Sequence, residues 1–300
     1  MPLLPSPVLR LPDPVLARAG VELRLKRDDL IHPLIPGNKW RKLMPNLRAA
    51  VAEGHTRLLT FGGAYSNHIR AVAAGAAAYG LESVGLIRGD ELADAPRNWS
   101  LTAAEADGMR LSFLDRRTYR ATLSTLSTPE TQRRLLRAWG RCSVLPEGGS
   151  NVLAARGAAD TVRELLPDLG PDDVICCAVG TGGTLAGMAA ALPPGTRALG
   201  VAALKGASGY LESEITRLHE QGWHRTFDNW QIHHTHHAGG YARTSPQLAA
   251  FAADFESRHG VALERHYVAK TLHCVYDLAR TGQFPPGTRI TLVVTGPATP

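Results

Sequence analysis

The chain has 300 residues, 44% of them hydrophobic and 20% charged, with a formal net charge of +6 and a pI of about 9.3. This is a globular composition, long enough to bury a substantial core in two domains or one large α/β unit, and it excludes a disordered or fibrous chain. The positive excess is scattered as single arginines, and the pairs Arg116-Arg117 and Arg133-Arg134 read as solvated helix faces, which argues against a nucleic-acid partner.

The opening MPLLPSPVLRLPDP is broken by prolines and has no basic stretch ahead of an apolar one, so no signal peptide is expected. Residues 1–20 read as a lead-in with a short helix. Residues 21–26 alternate apolar and polar, a strand pattern. A Gly37-Asn38 turn then opens a helix over 39–52, with Leu43, Leu47 and Ala50 at helical spacing. Further strands are expected at 58–61, 83–87, 109–114, 143–146, 174–179, 198–203 and 290–294. Helices are expected from the loop after 61 through 79, at 97–107, over a polar stretch at 118–140, and at 152–166. Others follow from the loop after 179 to 191, and at 211–221, 245–259 and 270–282. Strands alternate with helices almost throughout, which predicts parallel sheets with helices on both faces. No apolar run reaches membrane length, because 174–192 is interrupted by a Gly-Thr cluster, so no membrane partner is expected. Cys142, Cys176, Cys177 and Cys274 show no CxxC spacing, so neither a zinc knuckle nor a disulfide framework is indicated. Reduced thiols in a cytoplasmic enzyme fit that pattern.

Three stretches carry chemistry. The first is Lys39, one of only five lysines in the chain. A lysine at a helix start lies beside the positive end of the helix dipole, which favours the neutral amine that Schiff-base chemistry needs. A chain that writes arginine almost everywhere keeps lysine where an amine must lose its proton. The second is Gly180-Thr181-Gly182-Gly183-Thr184, between an apolar strand and a helix. Its glycines admit an anion close to the backbone, and its hydroxyls and helix N–H groups bind it. It has neither the GK[ST] of a P-loop nor GxGxxG spacing, so a phosphate tail is expected rather than a nucleoside triphosphate or dinucleotide. The third is Gly62-Gly63-Ala64-Tyr65-Ser66-Asn67-His68. Ser66 reads first as an N-cap, and the same helix start suits a substrate carboxylate. An amine, a phosphate cradle and a carboxylate-binding helix end together suit an aldehyde cofactor with a phosphate tail acting on an amino acid. That cofactor is pyridoxal 5'-phosphate (PLP).

The segments LKRDDL…PGNKWRKL, TFGGAYSNHIRAVAA, PEGGSN, AVGTGGTLAGM and HYVAKTLHCVYDLARTGQFPPGTRI resemble, in order and over most of the chain, the family of 1-aminocyclopropane-1-carboxylate (ACC) deaminase and D-cysteine desulfhydrase. These are PLP enzymes of the tryptophan-synthase-β type, fold type II. The resemblance implies that Lys39 bonds the cofactor, that Asn67 lies beside its 3-hydroxyl, and that Gly180, Thr181, Gly182, Gly183 and Thr184 hold its phosphate. It implies that Ser66, Asn67 and His68 bind substrate. Tyr241 and Tyr267 match the two active-site tyrosines, so Lys39, Ser66, Tyr241 and Tyr267 are the catalytic candidates. The chain also departs from the deaminases. They carry glutamine where it has His68, and the SNH form looks like the desulfhydrases. Val268 replaces a glutamate that faces the pyridine nitrogen, and the closing HTGG becomes Val294-Thr295-Gly296-Pro297. Thr295 then meets that nitrogen, and a hydroxyl cannot hold it protonated as a carboxylate would. A milder electron sink suits β-elimination better than opening a cyclopropane.

The expected enzyme is therefore a PLP-dependent lyase of two α/β domains, with mostly parallel open sheets and helices on both faces. A small domain, 44–145, is inserted into a large one, 1–43 and 146–300, with the cofactor between them. It releases ammonia from a small amino acid by Cα deprotonation and β-elimination, giving a 2-oxo acid, and the resemblance implies a homodimer. ACC deamination, another lyase or racemase reaction, sulfonate elimination, or an inactive fold that binds an acidic partner stand as alternatives. The run His233-His234-Thr235-His236-His237 has a spacing that metal ligands can use, and it could also line the substrate pocket; just before the Gly239-Gly240-Tyr241 turn it reads first as a surface loop, and no metal site is expected.

Overall fold

The computed structural model describes residues 1–298. In chain order its strands are β1 Val8–Leu11, β2 Glu22–Lys26, β3 Arg57–Gly62, β4 Glu82–Arg88, β5 Met109–Leu114, β6 Ser143–Leu145, β7 Val174–Val179, β8 Arg197–Ala202, β9 Trp230–His233 and β10 Arg289–Val293. They form a six-stranded sheet, ordered β1-β2-β10-β7-β8-β9, and a four-stranded sheet, ordered β5-β4-β3-β6. Every pairing is parallel except β1 with β2. The chain divides into two compact units, Lys42–Ala154 around the smaller sheet, and Met1–Arg41 with the chain from Ala155 onward around the larger. The expected boundaries were 43/44 and 145/146. Residues 146–154 go with the smaller unit because Lys42 Nζ donates to Gly148 O and to Ser150 Oγ, and Asn46 and Asn151 bond each other.

Helices cover both faces of the larger sheet, and β7 shows why. All six of its residues are buried. Val174 and Cys176 enter a core shared with Leu248, Phe255 and Leu272 of the helices Pro246–His259 and Val268–Arg280. Ile175, Cys177 and Val179 point the other way, into a core with Leu185 and Met188 of Gly183–Ala191 and Leu211 and Ile215 of Tyr210–Trp223. The period of two along a strand makes one apolar run serve two cores. In the smaller unit Leu59 and Phe61 pack with Val84, Leu86, Tyr119 and Leu135. The opposite face of β3 meets the alanine-rich helix Asn67–Ala78, where a β-carbon on Gly62 would lie 2.5 Å from Ile69 Cγ1.

The α/β class follows the sequence pattern, while several elements differ. β1 lies in the proline-rich lead-in; three of its four residues are exposed, so it carries no apolar alternation. β9 is likewise a short edge strand. The stretch 118–140 is two helices, Arg116–Ser124 and Pro129–Trp139, because Thr128 precedes a proline and caps the second. The stretch 152–166 is broken into Val152–Ala158 and Asp160–Arg163. Among the described residues no helix is long and apolar enough to cross a membrane.

Candidate active site

Lys39 lies in the first turn of the helix Asn38–Ala52, partly buried. Gly37 sets up that start: its φ is +67°, and a β-carbon there would fall 1.9 Å from the carbonyl oxygen of Thr295, which accepts from Asn38 N at 3.2 Å. Only glycine fits both the conformation and the space. Lys39 Nζ donates to Asn38 Oδ1 at 2.8 Å, and Asn38 Nδ2 donates to Thr184 Oγ1 at 2.8 Å. Asn38 thus ties the lysine to the Gly-Thr loop after β7. The other lysines are placed differently. Lys26 pairs with Glu164 at 2.6 Å, Lys42 and Lys270 donate to the backbone carbonyls of Gly148 and Gly240, and Lys205 is exposed. Burial pushes the Lys39 amine down to about 8 from the usual 10.5, against the opposing pull of Glu264.

The loop itself has the form of an anion cradle. Gly182, at φ +80°, precedes the helix Gly183–Ala191, whose first turn is buried. A β-carbon on Gly182 would lie 3.0 Å from Ile215 Cγ1, and one on Gly180 would touch the Tyr267 ring at 3.4 Å. The Tyr241 and Tyr267 rings are 6.0 Å apart. Tyr267 is held from below. Glu264, 3% exposed, accepts from the backbone N–H of His266 at 2.7 Å, Tyr267 at 2.7 Å and Val268 at 3.2 Å. It thereby starts the helix Val268–Arg280. Lys270 Nζ, from that helix, donates to Gly240 O at 2.8 Å and fixes the turn that carries Tyr241.

In the smaller unit Ser66 caps the helix Asn67–Ala78, its Oγ accepting from His68 N at 3.2 Å and Ile69 N at 3.4 Å. Asn67 Oδ1 accepts from Arg70, whose guanidinium stacks 4.2 Å over the Trp99 ring. His68 is buried. Its Nε2 lies 2.8 Å from Thr60 Oγ1, and that hydroxyl lies 3.1 Å from Leu145 O. A β-carbon on Gly149 would reach the ring at 2.8 Å, so Gly149 leaves room for the imidazole.

A family model described as pyridoxal-phosphate dependent enzyme matches residues 1–296. The chain belongs to that family. This PLP enzyme is 28% identical over 307 residues to the mitochondrial bifunctional D-cysteine desulfhydrase/1-aminocyclopropane-1-carboxylate deaminase of Arabidopsis thaliana, with 98% of this chain and 76% of that one covered. It is 35% identical over 182 residues to the D-cysteine desulfhydrase of Salmonella typhi, 58% of this chain and 53% of that enzyme. The crystal structure of an ACC deaminase homologue superposes with a TM-score of 0.80 at 25% identity, over 97% of this chain and 89% of that one.

The residues of the larger unit fit the cofactor. The amine with a lowered pKa and the glycine cradle at a buried helix start stand on one unit, joined through Asn38. Asn38, Glu264 and Lys270 are the residues that sequence reading missed in this PLP enzyme. Asn38 was seen only as a turn residue, and its partner lies 146 positions away. Glu264 and Lys270 carry no sequence motif; burial and their bonds to backbone groups mark them.

Proposed function

We propose that this PLP enzyme is a lyase acting on a small amino acid in the manner of D-cysteine desulfhydrase. With cysteine the balance is cysteine plus water to pyruvate, ammonia and hydrogen sulfide: the Cα–H and Cβ–S bonds break, and the thiolate leaves with the bonding pair. The observation that carries the reading is the Lys39 amine, near pKa 8, tied through Asn38 to the cradle Gly180, Thr181, Gly182, Gly183 and Thr184. Bound there, PLP supplies an aldehyde that captures amines and a ring that draws charge from Cα. Lys39 Nζ takes the Cα proton. Ser66, Asn67 and His68 receive the substrate carboxylate at their helix start, where the dipole favours an anion. The Thr60 bond to His68 gives that residue the part of shaping the site. The Tyr267 hydroxyl, with Tyr241 beside it, orients or protonates the departing sulfur. Thr295 would face the pyridine nitrogen, and with Val268 in place of a carboxylate the site would favour elimination over ring opening. Four free thiols, Cys142, Cys176, Cys177 and Cys274, support a reducing, cytoplasmic setting. The likeness to the desulfhydrases supports a homodimer, which sedimentation would reveal as twice 32.2 kDa and refute as a single 32.2 kDa species.

The test is a side-by-side assay of purified holoenzyme on D-cysteine, L-cysteine and ACC. Sulfide and pyruvate from a cysteine isomer, reduced at least about 10³-fold in Lys39→Ala, bear the proposal out. Turnover of ACC with no sulfide from either isomer overturns it.

A further inference from the structure

Away from the lysine, three donor atoms of the larger unit converge. His273 and Asp277 lie four residues apart on the helix Val268–Arg280, so both face the same way. His236, in the loop after β9, reaches the same place. Its Nε2 is 3.1 Å from Asp277 Oδ2, His273 Nε2 is 3.7 Å from that same oxygen, and all three atoms lie within 4.8 Å of one another. At 3.7 Å His273 points at the oxygen from beyond hydrogen-bond reach. The two rings are steeply inclined, at 73°, so their nitrogens meet without the rings stacking. His236 Nδ1 is 3.0 Å from Thr235 Oγ1, the kind of outer partner that orients a metal-binding imidazole. The side chains are 18%, 26% and 38% exposed for His236, His273 and Asp277, which leaves an approach from solvent.

We propose that His236, His273 and Asp277 bind a borderline divalent ion of the zinc class and clamp the loop that carries Tyr241 to the helix that Tyr267 begins. Two imidazoles and a carboxylate are a zinc donor set; magnesium and calcium require more oxygens. Metal–ligand bonds near 2.0–2.1 Å put tetrahedral neighbours about 3.3 Å apart, and the observed 3.1 and 3.7 Å bracket that edge. Water completes the fourth position. Arg280 Nη1 lies 3.5 Å from Asp277 Oδ1, the other carboxylate oxygen, and at 55% exposure it is a screened competitor. Two other histidines of the run are engaged elsewhere: His234 Nε2 lies 2.7 Å from Glu212 Oε1, and His237 Nδ1 accepts from Gly239 N at 3.0 Å. The sequence alone hid the site, since Asp277 lies 41 residues after His236. The ion adds a second tie to the one Lys270 already makes with Gly240. Its role is structural, because none of the three ligands is among the groups assigned to the reaction.

The experiment is a calorimetric zinc titration of chelator-treated, desalted holoenzyme, with thermal midpoints recorded at saturation. One equivalent per chain is expected at micromolar affinity or tighter, with a rise of several degrees in the midpoint. His236→Ala and His273→Ala should each weaken binding at least about tenfold, and Asp277→Asn, which keeps the shape without the charge, should do the same. His237→Ala should leave the affinity unchanged. The proposal is overturned if wild-type binding is weaker than about 100 µM, or if the three ligand variants bind zinc as the wild type does.

Discussion

Lys39 shows how much chemistry one side chain takes from its surroundings. In water its amine would be charged throughout the neutral range; here burial outweighs the attraction of Glu264 and brings it to about 8. The folded form therefore holds the proton less tightly than the unfolded chain. Protonated Lys39 weakens the cofactor-free fold below pH 8, and that penalty fades as pH rises from 8 to 10.5. Reaction of the metal-free apoenzyme with added PLP, followed by absorbance, should rise about tenfold from pH 7 to pH 9, with half the rise near 8. Lys39→Arg should not react at any pH. A half-rise near 10.5 would mean the amine is solvated and the assignment wrong. The motif around Lys39 was legible because helix starts and scarce lysines show in the sequence. The Asn38 relay was not, because its meaning depends on Thr184.

Among the elements, the helix Val268–Arg280 does most to arrange the larger unit's site. Glu264 starts it, Tyr267 stands at its head, Lys270 reaches back to Gly240, and Cys274, Val275 and Tyr276 bury its inner face. Glu264 serves as a cap through its oxygens and as a charge near Lys39. Two variants separate these parts. Glu264→Ala leaves three backbone N–H groups without acceptors and should cost about 1–3 kcal/mol in denaturant unfolding. Glu264→Gln keeps an acceptor but removes the charge, so the midpoint of the Lys39 reaction should move to lower pH. No movement of that midpoint would show that Glu264 acts as a cap alone. The sequence placed this helix within two residues at each end, yet gave no sign of the carboxylate ahead of it, since Glu264 is not at an N-cap spacing that pattern reading recognises.

At the scale of the whole molecule, a buried ion cluster holds the start of the chain to the larger unit. Arg41 donates to both oxygens of Asp28 at 2.8 Å and to both oxygens of Glu164 at 2.8 Å; Lys26 joins Glu164 at 2.6 Å, and Ser6 joins Asp28 at 2.7 Å. Burial alone would raise the Glu164 pKa, but the bonds from Arg41 and Lys26 hold it at about 2. Its contribution to stability is therefore fully present above about pH 4.5 and is lost as pH falls toward 2. Arg41→Met should cost about 3–5 kcal/mol, because the fully buried Asp28 and the half-buried Glu164 both lose the guanidinium that bonds their oxygens. Urea unfolding at several pH values checks both points: in the variant the acid loss should begin at higher pH. An unchanged acid limb would show that Arg41 does not set the Glu164 titration.

The local pattern of the sequence was enough to determine the α/β class, the order of most elements, the helix start that carries Lys39 and the glycine-rich turn after β7. Each of these rests on neighbours along the chain: apolar periodicity, glycine freedom and helix starts act over a few residues. Tertiary structure alone decided the pairing of β1 and β9 at the sheet edges, the tie from Asn38 to Thr184, and the Arg41 cluster. It also brought His236 to His273 and Asp277. These depend on groups far apart in sequence meeting where water is excluded, and only there do burial and hydrogen bonds give a common side chain its particular charge and task.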